Sequence, residues 1–378
     1  MRKRLGVCLA IATLVACGGG TPKVDRIYED GVEIVLNHQE PYKIGGHPST
    51  FSFKEILVID LERDDLARAG LGSGGEWGAD DDGRIFVVGF KNREDFVYRF
   101  DREGRFAGSF GKRGQGPGEL QWPFFSGVSG SGQVAITDFG QKYVVYDREG
   151  VVLREAKLRT RTARLEELGN GTYLALRSRP ELMTSDRYVD ALTLCGGDFT
   201  DIKILDIYER PVDSSRQVPY FMWRVSGNRI IIANEARGYE LWVYDLEGNL
   251  VRKIRKDHRP VRVTEEIKAA ILGPDYQSSG TSHEKYFPDP LPPINQFFID
   301  DEGRVFAMTY ERGAAPGEHI WDIFDPDGVF IGRKGLSLLW AGLYGGPHYT
   351  FIRNDRLYYH RIKDSGYHEL VICEVIWK

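Results

Sequence analysis

The chain has 378 residues, with 50 Lys and Arg against 55 Asp and Glu and a formal net charge of −5. A nucleic-acid partner would need a basic face, so this balance excludes one. The length exceeds an ordinary single domain, but closed repeat folds grow beyond that limit.

The first residues read as a processing signal. Arg2, Lys3 and Arg4 form a basic start, and Leu5 to Ala16 form an apolar stretch too short to span a bilayer. The run Leu14-Val15-Ala16-Cys17-Gly18 resembles the bacterial lipobox, in which the cysteine is lipidated and becomes the new N-terminus. The expected organisation is a signal peptide over 1–16, lipid attachment at Cys17, a tether over 17–29 and one folded domain over 30–378. Stable anchoring takes more than one acyl chain, and the lipobox resemblance implies this. The membrane is then a partner through the N-terminal lipid. Gly18 stands where an aspartate would favour inner-membrane retention, so the expected location is the cell envelope, at the outer membrane. Loss of the three basic leader residues takes the charge to near −8.

Downstream, a strand-turn-strand unit recurs. Arg84–Phe90, Gln133–Phe139, Thr172–Ser178, Arg229–Glu235, Arg304–Tyr310 and Arg356–Ile362 are each rich in β-branched or aromatic residues, and each follows a tight polar turn. A period of roughly 40 to 50 residues marks a solenoid or propeller. Most units add a second turn: Asp101-Arg-Glu-Gly104, Asp147-Arg-Glu-Gly150, Asp245-Leu-Glu-Gly248 and Asp325-Pro-Asp-Gly328. There Asp bonds its own turn and Gly supplies positive φ. Six units of four strands, lettered A to D from the axis outward, make an all-β, six-bladed β-propeller. The sixth blade lacks a fourth strand before Lys378, so ring closure by an N-terminal strand is expected, with Glu55–Leu61 as candidate and Val32–Asn37 either the closing strand instead or a strand packed alongside it. Cys8 and Cys17 fall in the leader. Cys195 and Cys373 fall in the third and sixth units, on opposite sides of the ring, and are expected free and buried.

Asp30–Asn37 before Glu40-Pro41, Asp81–Val88, Phe100–Gly104 and Phe110–Glu119 together resemble the NHL-like six-bladed β-propeller lipoproteins of bacteria. The resemblance spans nearly the whole chain after the leader and implies a fold and a membrane anchor rather than one activity. The third blade departs from it, with Cys195-Gly-Gly-Asp198 in place of Asp-x-x-Gly.

Long connectors lie between strands B and C and between D and the next A, so that face is the expected working face. The largest is Arg255–Pro293, with a helix expected over Val263–Leu272 capped by Thr264, as a lid or a packing clasp. Gly111–Gly118 is glycine-rich but lacks the Lys-Ser/Thr pair and the following helix of a phosphate loop. The residues expected at the channel mouth on the long-loop face are Asp138, Glu235, Asn295, Glu311, His319 and His348. Oxygen donors of this kind could hold Ca, and histidines could hold Zn. No compact catalytic signature is present, so the leading expectation is a membrane-anchored binding or scaffolding platform for a protein, peptide or glycan. The alternative is a metal-dependent lyase or hydrolase, lactonase-like or amidating-lyase-like, with its site in the channel. That would need ligands from at least three blades.

Overall fold

A computed structural model of the chain describes residues 24–42, 50–68, 70–71, 75–89, 95–138, 142–158, 162–211, 215–216, 221–272, 285–315, 317–337 and 350–378. Six sheets form the blades of a β-propeller, each built on four antiparallel strands in meander order, except that the sixth takes its outer strand from the N-terminal part of the chain and the fourth carries two more strands on its rim. The inner strands, in blade order, are Glu76–Ala79, Pro123–Val128, Thr162–Glu167, Phe221–Ser226, Gln296–Ile299 and Thr350–Arg353. Strand B repeats the apolar runs read from sequence, as in Ile85–Val88 and Arg229–Asn234. Both faces of such a strand are covered by neighbouring blades, which is why its pattern is continuous rather than alternating.

The blades are joined by one apolar cluster at each seam. Trp77, Ile85 and Val87 of the first blade pack on Leu370 and Ile372 of the sixth. Phe86 and Val88 pack on Phe125 and Ile136, and Tyr143 and Val145 on Leu165 and Tyr173. Leu192 and Leu194 pack on Ile230 and Ile232, Ile231 and Val243 on Phe297 and Val305. Phe306 and Trp321 meet Leu357 and Val371 to complete the ring. Each seam stabilises by removing apolar area from water.

The turn chemistry is as the sequence suggests. Asp101 Oδ1 accepts from Glu103 N at 3.0 Å and Arg105 N at 2.8 Å, and Asp147 and Asp325 do the same in their blades. The turn glycine has a second role. Gly150 (φ +91°) sits against Phe110 on the outer strand of the preceding blade, and Gly328 sits against Ile254 in the same way. In the third blade the turn is Gly196–Phe199, one residue later than the sequence suggested, and Phe199 takes the positive φ of 65°. Its ring covers Tyr143 and Tyr173 where a glycine would have allowed close approach.

The two N-terminal strands separate. Phe51–Asp60 pairs antiparallel with His368–Trp377 as the outer strand of the sixth sheet. Val32–Asn37 instead runs parallel to Leu250–Lys256 on the rim of the fourth blade. Asp25–Glu29, read from sequence as the end of the tether, is a strand paired with it. Asn37 is the reason this register holds: it accepts from Phe330 N at 2.8 Å and donates to Gly328 O at 3.0 Å, tying the fourth blade to the fifth. Residues 1–23, with the leader and Cys17, lie outside the described residues. Cys195 and Cys373 are buried free thiols in the third and sixth blades. Among the described residues no helix is long and apolar enough to cross a membrane.

Candidate functional site

A cavity of about 450 Å³ occupies the centre of the ring and is lined by the inner strands of all six blades. Its walls are the C-terminal halves of those strands, with Ser129, Gln133 and Gly169 at the turns that follow. It therefore lies toward the tight-turn face, away from the long connectors. The half-buried Phe351 supplies aromatic surface, with Trp77, Phe125 and Phe298 closed off behind the wall, and Glu166, Glu167, Arg224 and Arg353 supply charge.

The charges are unequally partnered. Arg353, from the sixth blade, donates to Ala79 O at 2.9 Å and Val128 O at 3.2 Å and pairs with Asp81 at 2.8 Å. It is fully engaged at the rim. Below it, Glu76 of the first blade pairs with Arg164 of the third and accepts from Phe125 N of the second at 3.0 Å.

Arg224 differs. It is 9% exposed. Its Nη1 donates to Trp223 O at 2.7 Å, and its guanidinium lies 5.3 Å from the centre of the Phe297 ring. Its Nε has no hydrogen-bond partner, and among the described residues no carboxylate comes within 4.0 Å of it. Burial pushes Arg224 down to about 9, the Arg164 charge adds to this, and Glu166 opposes it. Burial also pushes the Glu166 carboxyl up to about 7, against the pull of Arg224, the Trp223 indole and Arg164. The hydroxyl of Tyr143, another lining residue, is buried without a partner. The site thus presents a largely buried cation and a carboxyl that changes charge near neutrality, with Phe351 beside them.

None of Asp138, Glu235, Asn295, Glu311 and His319 lines this cavity, and His348 lies outside the described residues. Asp138 accepts from Gln121 N at 3.0 Å and Trp122 N at 2.6 Å, which fixes the connector entering the second blade. Glu235 starts a single 3-10 turn whose Ala236 N is capped by Asn234. Asn295 is buried at the start of the fifth inner strand, where its N–H donates to Met308 O at 2.8 Å. Glu311 pairs with Arg333 at 2.6 Å. His319 faces Arg312 across the hairpin, and burial followed by the Arg312 charge lowers it to about 4. Three of the five belong to one blade. Among the described residues no three His, Cys, Asp or Glu side chains gather in metal-binding geometry. The described residues do not fit a Ca or Zn centre.

The Arg255–Pro293 insertion forms the helix Glu265–Leu272, with Thr264 Oγ1 accepting from Ile267 N at 3.2 Å. Val261, Val263, Ile267, Phe287 and Leu291 pack on Tyr310 of the fifth blade. This part of the insertion is a clasp on the fifth blade, while 273–284 lies outside the described residues. The glycine-rich loop spends donors on protein carboxylates: Gly116 N bonds Glu119 at 2.9 Å and Gly118 N bonds Glu155, on the outer strand of the second blade, at 2.5 Å.

Sequence reasoning missed Glu166, Glu167 and Arg224. A signal existed. Charges at Glu166, Glu167 and Arg224 interrupt inner strands that face the axis, and an unpaired charge there is costly unless it has a use.

Residues 79–180 match a protein family described as a 6-bladed beta-propeller. Among curated proteins none matches the sequence. Similar solved structures include a Bacteroides fragilis protein thought to be exported, at 13% identity over 91% of this chain and 99% of that one, with a TM-score of 0.49. The Pan2 WD40 domain of Neurospora crassa is 9% identical over 86% and 96%, with a TM-score of 0.41. BamB of Moraxella catarrhalis is 11% identical over 85% and 100%, with a TM-score of 0.35.

Proposed function

We propose that this propeller is a lipid-anchored binding protein of the cell envelope, held through Cys17 and serving as a platform for a protein, peptide or glycan. The observation that carries the binding role is the central cavity. Small-ligand sites are concave, about 300–1,000 Å³, mostly apolar and furnished with a few polar groups. This cavity has that size, and among the described residues its Arg224 has no carboxylate within 4.0 Å, the Glu166 charge acting on it from farther off. The anchor rests on the Leu14–Gly18 pattern, and the tether leaves the folded ring free to meet a partner.

The anchor is tested by fractionation. Cys17→Ala should move the protein from the membrane to the soluble fraction, and retention in the membrane would contradict it. Binding is tested by thermal-shift screening of the purified protein against peptide and glycan panels. A concentration-dependent rise in Tm is expected, because a ligand that binds only the folded state stabilises it. The metal-dependent lyase reading has no ligand cluster among the described residues to rest on.

A further inference from the structure

We propose that the central cavity recognises a small zwitterion, an amino acid or short peptide, with its carboxylate on Arg224 and its ammonium group on Glu166. This rests on the binding reading above and names the ligand class for that site.

A guanidinium buried without a carboxylate is a poor structural element, since its desolvation is uncompensated. Arg224 keeps its Nε unbonded while lining a cavity large enough for a ligand. Guanidinium forks match carboxylates and phosphates. The remaining charge in the wall decides between these two. Glu166 and Glu167 lie in the same lining, and Arg353 is already committed to Asp81 and two carbonyls. A doubly charged phosphate would meet two carboxylates with only one free cation to offset them. A single carboxylate meets Arg224, and an ammonium beside it turns Glu166, which already feels the Arg224 charge, into a partner. Phe351, with the half-buried Val128 and Val225, then accepts an apolar body beside the charges.

The test titrates purified full-length protein with leucyl-phenylalanine, its C-terminal amide and its N-acetyl form by calorimetry, beside thermal melts. Free phenylalanine serves as the amino-acid arm. The expected result is binding of the free dipeptide, with the amide weaker by about tenfold or more, and a smaller loss for the N-acetyl form. Arg224→Met should melt no lower than the unmodified protein without ligand, because it removes a buried charge that no ion pair within 4.0 Å offsets, yet should lose the acid-over-amide preference. A purely structural arginine would instead lower Tm when replaced. Should R224M fail to fold, the acid-against-amide comparison on the unmodified protein still decides. Equal binding of acid and amide, or preference retained in R224M, would overturn the assignment while leaving a binding protein. If no peptide or amino acid binds at millimolar concentration, the zwitterion assignment falls. The broader reading falls only if the glycan and other peptide panels are blank as well.

Discussion

Glu76 of the first blade and Arg164 of the third are paired across the second blade, whose Phe125 N–H also bonds Glu76. One carboxylate thus fixes three blades at the channel wall. Glu76 is 3% exposed, so removing its charge strands Arg164 beside Arg224. Glu76→Gln should cost about 3 kcal/mol, the scale for breaking a buried pair from one side. The midpoint of urea unfolding checks this. A change within about 0.5 kcal/mol would show that the pair contributes little, and Glu76→Leu with Arg164→Leu should recover part of the loss.

A second buried relay locks the fourth blade to the fifth. Tyr239 donates to Asp322 at 2.7 Å, Lys256 lies 3.4 Å from the same carboxylate and Arg333 lies 3.0 Å from its other oxygen. Asp322 and Lys256 are almost wholly buried. Asp322→Ala should destabilise by roughly 3–5 kcal/mol, read from thermal unfolding. Exposed Glu302→Ala is the comparison and should change little. Equal effects would refute a role for the relay.

The two functions of the turn glycine can be separated. Gly150→Ala meets both a positive φ and the Phe110 side chain at 2.6 Å, whereas Gly169→Ala meets a positive φ of 76° and open space. Gly169→Ala should cost about 1 kcal/mol, and Gly150→Ala should cost more, about 2–4 kcal/mol with the overpacking added. Equal losses would mean that the seam relaxes around the new methyl.

Acid stability should be shaped by two buried groups of opposite sign. His360 is held down to about 3, by burial first and the His368 charge next. Its unfolded value is near 6.5, so the unfolded chain takes up a proton that the folded one refuses. Its contribution is full above pH 6.5 and is lost as pH falls toward 3, by on the order of 2 kcal/mol between pH 6.5 and 5. Glu166 titrates near 7 when folded against an ordinary 4.5, so the folded state holds the extra proton. Its contribution is present below pH 4.5 and is lost as pH rises through 7. The two partly cancel between pH 4.5 and 6.5. His360→Phe should flatten the fall in stability on acidification, and Glu166→Gln should steepen it. Chemical denaturation at pH 4.5, 5.5, 6.5 and 7.5 reads the slopes. Parallel slopes for all three proteins would contradict both assignments.

Sequence by itself determined what depends on neighbours in the chain. The runs Ile85–Val88 and Arg229–Asn234 read as strands because β-branched residues recur, and Asp101 and Asp147 read as turns because their bonds close within four residues. The helix start at Thr264 was legible for the same reason. Only the tertiary structure decided what depends on distant partners. Val32–Asn37 has strand character in either place, but Asn37 finds its acceptor and donor on the fifth blade, nearly 300 residues away. Loop length pointed to the long-connector face, yet the cavity lies at the other end, because its position depends on which inner-strand side chains fill the axis. Arg224 looks in the sequence like any strand arginine. Its significance comes from burial without a carboxylate, a fact about the space around it that no local pattern encodes.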